Sequence, residues 1–146
     1  MLLAFVKVDA KNSRLFHETC GVISGMDLDS FNPQHLANIL WSFAKSGEAD
    51  PELFQAIGNH ITGLGSLDSF KPQDLSNTIW AFATAGVSYP ALFEKIGGHI
   101  VGLDCLNSFK QQDFSNTAWA FAKVGESNPK LFKKIGDYIA GLASLD

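Results

Sequence analysis

The sequence predicts an all-α fold, an α-α superhelix built from two-helix repeats of 39 residues, and three observations carry that prediction. Setting Phe31, Phe70 and Phe109 in register stacks Trp41 on Trp80 and Trp119, and Asn38 on Asn77 and Asn116. The first two full copies agree at 20 of 39 positions without a gap. Within each copy the apolar residues follow a helical period twice, with a Gly stop and a Pro start between. Internal periodicity of this length is the signature of a solenoid, in which each unit buries its apolar face only against its neighbours. The chain divides accordingly into a partial repeat over 1–30 and copies over 31–69, 70–108 and 109–146, one continuous array over 1–146.

The first helix of a copy, helix A, starts in the leading full repeat with Asn32 as N-cap and Pro33 at N1, where a missing N–H costs nothing. It stops at Gly47. On a helical wheel Leu36, Ala37, Ile39, Leu40, Trp41, Phe43 and Ala44 cover more than half the circumference, so helix A should have neighbours on two sides. The tryptophans are expected in this core. The second helix, B, starts at Pro51 behind Asp50, and at Pro129 behind Asn128, and closes at Gly63 in the leading copy. Its narrower stripe, Leu53, Phe54, Ile57, Ile61 and Leu64, marks an outer layer. Gly58, Gly97 and Gly136 recur inside helix B, where Gly costs roughly 1 kcal/mol against Ala. Close packing against the adjoining helix A is the expected compensation.

Counting back from Phe31 aligns Leu15-Phe16 with Leu53-Phe54 and Ala4-Phe5 with Ser42-Phe43, so Met1 falls inside a helix A and Asp146 just before another unit. Neither end reads as a polar cap, and the chain is expected to be a stretch of a longer array. Met1–Val6 has no basic leader or cleavage site. No apolar run approaches the roughly 18 residues that span a bilayer.

Composition excludes several classes of function. Two cysteines, Cys20 and Cys105, sit at unrelated repeat positions and make neither a disulfide framework nor a zinc spacing. His60 and His99 are repeat-equivalent and replaced by Tyr138 in the third copy, as polar-tipped aromatics at a core margin would be, and no metal is expected. No nucleophile with a base, phosphate-cradling loop or carboxylate pair stands out, so neither catalysis, nor a cofactor, nor a small-molecule substrate is expected. The net charge of -4 is the wrong sign for a binder of nucleic acid, but it is unevenly spread. Summed by copy it runs -3, -1 and +1, the last carrying Lys110, Lys123, Lys130, Lys133 and Lys134.

What remains is the polar face of helix A. Gln34, Asn38, Ser42 and Lys45 in the first full copy, Gln73, Asn77 and Thr84 in the second, and Gln112, Asn116 and Lys123 in the third recur about four residues apart. A side-chain amide presents a donor and an acceptor together and can read a base edge. At one per repeat these amides could follow a single strand. The invariant Asn equally suits a structural bond to a neighbouring helix end. Selectivity is assigned to positions that vary between copies: His35, Asp74 and Asp113; Ile39, Thr78 and Thr117; Lys45, Thr84 and Lys123; Ser46, Ala85 and Val124.

The unit Phe70 to Gly86, with its string Asn77-Thr78-x-Trp80-Ala81-Phe82-Ala83, and its copy Phe109 to Gly125 resemble octotricopeptide-type repeats and the related helical repeats of FAST-kinase-like, RAP-domain proteins. The resemblance implies a non-enzymatic, RNA-binding segment of a larger protein of mitochondria or plastids, acting in RNA processing, stability or translation. Without that resemblance the cytoplasm is the default compartment. The expected partner is single-stranded RNA. The alternative is a protein-interaction scaffold of the armadillo or HEAT type, whose groove would grip a partner helix or strand without touching RNA.

Overall fold

The computed structural model describes residues 27–143, which form six helices with no strand among them. A 3-10 turn at Leu28–Ser30 leads into α1 (Pro33–Ser46) and α2 (Pro51–Thr62). Then follow α3 (Pro72–Ala85), α4 (Pro90–Val101), α5 (Gln111–Val124) and α6 (Pro129–Ala143). The odd-numbered helices are the A helices and the even-numbered ones the B helices. The partial repeat assigned to 1–30, including Ala4-Phe5, Leu15-Phe16 and Cys20, lies almost wholly outside the described residues.

Local chemistry explains each boundary. Asn32 Oδ1 accepts from the backbone N–H of His35 at 2.8 Å, and Pro33 occupies N1. Asp50 Oδ1 accepts from Glu52 N–H at 2.9 Å, and Asn128 Oδ1 from Leu131 N–H at 3.1 Å. In the other two A helices the acid sits inside the first turn. Asp74 Oδ2 accepts from Lys71 N–H, and Asp113 Oδ2 from Lys110 N–H, each at 2.9 Å, which is half of a capping box. Every A helix ends on a left-handed glycine, Gly47, Gly86 or Gly125, with φ of 78°, 73° and 73°. Gly63 closes α2 differently, in right-handed conformation with φ of -79°.

The core runs unbroken through the array. Phe43, Phe54, Phe82, Phe93 and Phe121 are fully buried together with Leu36, Leu40, Ile57, Ile79 and Ile96. Phe54 meets Phe82 of the next repeat edge-to-face at 5.1 Å, and Phe93 meets Phe121 at the same distance. Successive A helices approach closely along most of their length, while successive B helices meet sparsely. Small residues make this possible, since Ala37, Ser42, Ser76, Ala81, Ala83 and Ala120 are all buried on the A helices. A layer with the tighter spacing lies on the inside of the curve, so the A helices line the concave surface and the B helices the convex one.

The helix B glycines serve this stacking. A Cβ on Gly58 would stand 2.7 Å from the Tyr89 ring and 3.2 Å from Phe82. One on Gly97 would stand 2.6 Å from the Asn128 amide and 3.1 Å from Phe121. Each glycine therefore admits the next helix A together with the cap residue of the next helix B. Gly136 has open space around it, so the expected packing role does not extend to the third copy.

Polar bonds repeat across the same boundaries. Lys95 Nζ donates to the carbonyls of Thr62, at 2.9 Å, and Leu64; one repeat later Lys134 Nζ donates to those of Val101, at 2.8 Å, and Leu103. Each ammonium thus satisfies carbonyls left over at the end of the preceding helix B. His60 Nδ1 lies 3.5 Å from Asp29, His99 Nδ1 4.0 Å from Asp68, and Tyr138 donates to Asn107 at 3.1 Å. These three are tethers from helix B to the preceding linker. Among the described residues no cluster of His, Cys, Asp and Glu could hold a metal ion, and no helix is long and apolar enough to cross a membrane.

Candidate nucleic-acid interface

The concave surface is built from one stripe of each A helix. Successive side chains are about 100° apart on a helix, so i, i+4, i+7 and i+11 stay within a narrow arc. Gln34, Asn38, Trp41 and Lys45 occupy that arc on α1, Gln73, Asn77, Trp80 and Thr84 on α3, and Gln112, Asn116, Trp119 and Lys123 on α5. Gln34, Gln73, Gln112, Lys45, Thr84 and Lys123 are exposed, and the three asparagines are half-buried between neighbouring helices. His35 is exposed beside this stripe, its ring edge-on to Phe31 at 6.4 Å.

Five of the candidate binding residues are not on this surface. Ser42, Thr78 and Thr117 are fully buried, and Asp74 and Asp113 nearly so. A step of four residues drifts about 40° around the helix, so a stripe that starts at Gln34 and passes Asn38 has turned toward a neighbouring helix by Ser42. Ala81 and Ala120 fill the same buried position in the later copies. Asp74 and Asp113 turn back to their own helix N-termini, and Asp113 also accepts from Ser76 of the previous repeat at 3.3 Å. Thr78 Oγ1 donates to the carbonyl of Asp74 at 2.7 Å. These side chains hold helix ends and helix contacts. Ile39 is buried as well, so that varying position faces the core.

The tryptophans correct the expectation in the other direction. Trp41 and Trp80 are half-buried and Trp119 is 43% exposed, on the same stripe as the amides. The three indoles form a ladder along the array, with centroids 6.3 Å apart at both steps and planes inclined by 31° and 36°. The signal was present in the spacing, because Trp41 is three residues from Asn38 and four from Lys45. The helical wheel and aromatic character both placed the tryptophans with the core, and Trp80 does pack against it, but their position at the edge of the apolar arc leaves one face of each indole on the polar stripe.

Structural bonds for the invariant asparagine are absent among the described residues. The side-chain amides of Asn38 and Asn77 have no hydrogen-bond partner there, and Asn116 Oδ1 accepts from Gln112 within its own helix at 3.0 Å.

Charge on this surface has the opposite sign to that of the whole chain. The only carboxylates within the three A helices are Asp74 and Asp113, both buried. Lys45 and Lys123 are exposed along the stripe, and Lys71 and Lys110 are exposed at A-helix N-caps. Glu52, Glu94 and Asp137 stand exposed on the B helices, and Asp29, Asp68 and Asp104 in the linkers. On α6 Asp137 is paired with Lys133 at 2.8 Å, a bond that raises the Lys133 ammonium above its ordinary pKa. Carboxylate repulsion is thus segregated to the convex side and the edges.

Comparison with known proteins gives one finding. The family model described as RNA-editing substrate-binding complex 6 protein matches residues 1–144. No curated protein matches the chain.

Proposed function

The chain belongs to this RNA-editing substrate-binding complex 6 family, and from that premise we propose that its concave surface binds single-stranded RNA as a non-catalytic segment of a larger organellar protein, mitochondrial or plastid, in RNA processing, stability or translation. The observation that carries the reading is the A-helix surface itself. Amides and lysines line it, those of Asn38 and Asn77 with no partner among the described residues, and no exposed carboxylate stands on these helices, in a chain whose net charge is -4. Affinity comes from the lysines and the length of strand engaged, and discrimination from Gln34, His35, Asn38, Gln73, Asn77, Gln112 and Asn116. The octotricopeptide-type resemblance of the Asn-Thr-x-Trp string supports the same assignment.

The test is binding of labelled single-stranded and double-stranded RNA by the full chain over a range of salt. Each phosphate contact to a single strand contributes about -0.7 to the log–log salt slope, so four lysines give a slope near -3. Single-stranded RNA bound with about that slope, in preference to duplex, is the expected result. Absent or salt-insensitive binding overturns it.

A further inference from the structure

We infer that the tryptophan ladder is a track for unpaired bases, each base of a bound strand stacking against one indole, one per repeat. This deepens the proposed function and rests on it. Three observations converge on the rungs.

The first is spacing. Two aromatic planes in direct contact lie about 3.5–4 Å apart. An indole–base–indole sandwich needs two such contacts, or about 7–8 Å. The centroids of Trp41, Trp80 and Trp119 stand 6.3 Å apart at both steps, roughly 1–2 Å less than that sandwich needs, and inclinations of 31° and 36° open one edge of each gap. A base stacks on one indole from the open edge, and spreading the gap by roughly 1–2 Å closes the second contact.

The second is available chemistry. None of the three indole N–H groups donates to another described residue, and none is among the buried groups left without a partner, so each keeps a donor open to the surface. The amide one turn earlier on the same stripe has no partner among the described residues in Asn38 and Asn77. Each rung of the first two repeats therefore offers a π-face, an indole donor and an amide donor–acceptor pair at one point, which matches the face and edge of a nucleobase.

The third is the setting of the phosphates. Lys45 and Lys123 lie four residues beyond Trp41 and Trp119, one turn along the same face, with Thr84 in that place beside Trp80. No exposed carboxylate of an A helix intervenes. The strand's backbone would follow the Lys45–Thr84–Lys123 line while its bases point toward the indoles.

The full chain is titrated with oligoadenylate, oligouridylate and an abasic ribose-phosphate oligomer of the same length, following intrinsic tryptophan fluorescence. Base-bearing RNA should quench the emission, and the abasic oligomer should bind at least about tenfold more weakly with no quench. Trp80→Leu and Trp119→Leu should each weaken oligoadenylate binding roughly 5- to 100-fold, while Trp80→Phe, which keeps a ring, stays within about threefold of the parent. Because Trp119 is the most exposed of the three, its variant should retain the parent's thermal melt, so its loss of affinity is not a folding defect. Equal binding of the abasic oligomer, or leucine variants that bind as the parent does, overturns the stacking track and leaves RNA binding intact. Failure of every oligomer to bind overturns both.

Discussion

The ammonium of Lys95 donates across a repeat boundary to the carbonyl of Thr62, 2.9 Å away at the C-terminus of α2. The same reach recurs between Lys134 and Val101, whereas the position is Ala56 in the leading copy. Charge-assisted bonds to helix-end carbonyls are worth about 1.5–3 kcal/mol before solvent screening, and Lys95 is only partly buried. Lys95→Met, which keeps the apolar stem, is expected to lower stability by about 1 kcal/mol. Chemical denaturation should show the midpoint fall with an unchanged slope.

The glycines of helix B make opposite predictions at two repeats. Gly97→Leu must displace the Asn128 amide and the Phe121 ring and should cost about 2–3 kcal/mol. Gly136→Ala meets open space on an exposed helix and should gain about 0.5–1 kcal/mol in helix propensity. A pair of thermal melts checks both signs; a neutral Gly97→Leu would show that the close approach contributes nothing.

Ser42 and Thr117 are buried with hydroxyls that find no partner, an arrangement that costs about 1–3 kcal/mol in desolvation. Alanine already occupies the position of Ser42 in the other two copies, as Ala81 and Ala120. Ser42→Ala should therefore be neutral or stabilising by up to about 1 kcal/mol, with RNA affinity unchanged. Loss of affinity in this variant would restore Ser42 to the binding surface.

Replacing Asn77 and Asn116 together by Ala should separate reading from folding. Among the described residues Asn77 holds no bond to lose and Asn116 only one within its own helix, so the melting temperature should move by no more than about 2 °C. Affinity for single-stranded RNA should fall roughly tenfold with the salt slope preserved, because the lysines remain. A large drop in melting temperature would return these residues to a structural role.

The helices were legible because their signals are local. Asn32, Pro33 and Gly47 mark α1 by cap chemistry that needs no tertiary context, and the interval from Phe31 to Phe70 to Phe109 places the remaining units. The concave surface was only partly legible. Ser42, Thr78 and Thr117 read as a polar stripe because the sequence shows polarity and not direction. Small hydroxyls are tolerated where two A helices pack, and the eventual facing depends on helix rotation within the array. Asp74 and Asp113 looked like variable recognition residues, though an acid three positions after the cap is itself a helix-start signal. The Lys95 and Lys134 bonds were invisible, since each pairs a side chain with carbonyls about 31 to 33 residues earlier and depends on the stacking geometry.

Tight contact in the A layer and loose contact in the B layer make the array behave like a leaf spring. Its concave leaf resists compression, since buried alanines and serines leave no further room between backbones, while its convex leaf is free to gather or spread. Flexing should therefore hinge on the A helices and act on the ladder chiefly as a small change of gap. A strand that wedges the rungs apart at one repeat would straighten the neighbouring ones, so that occupancy of one gap lowers the work of opening the next.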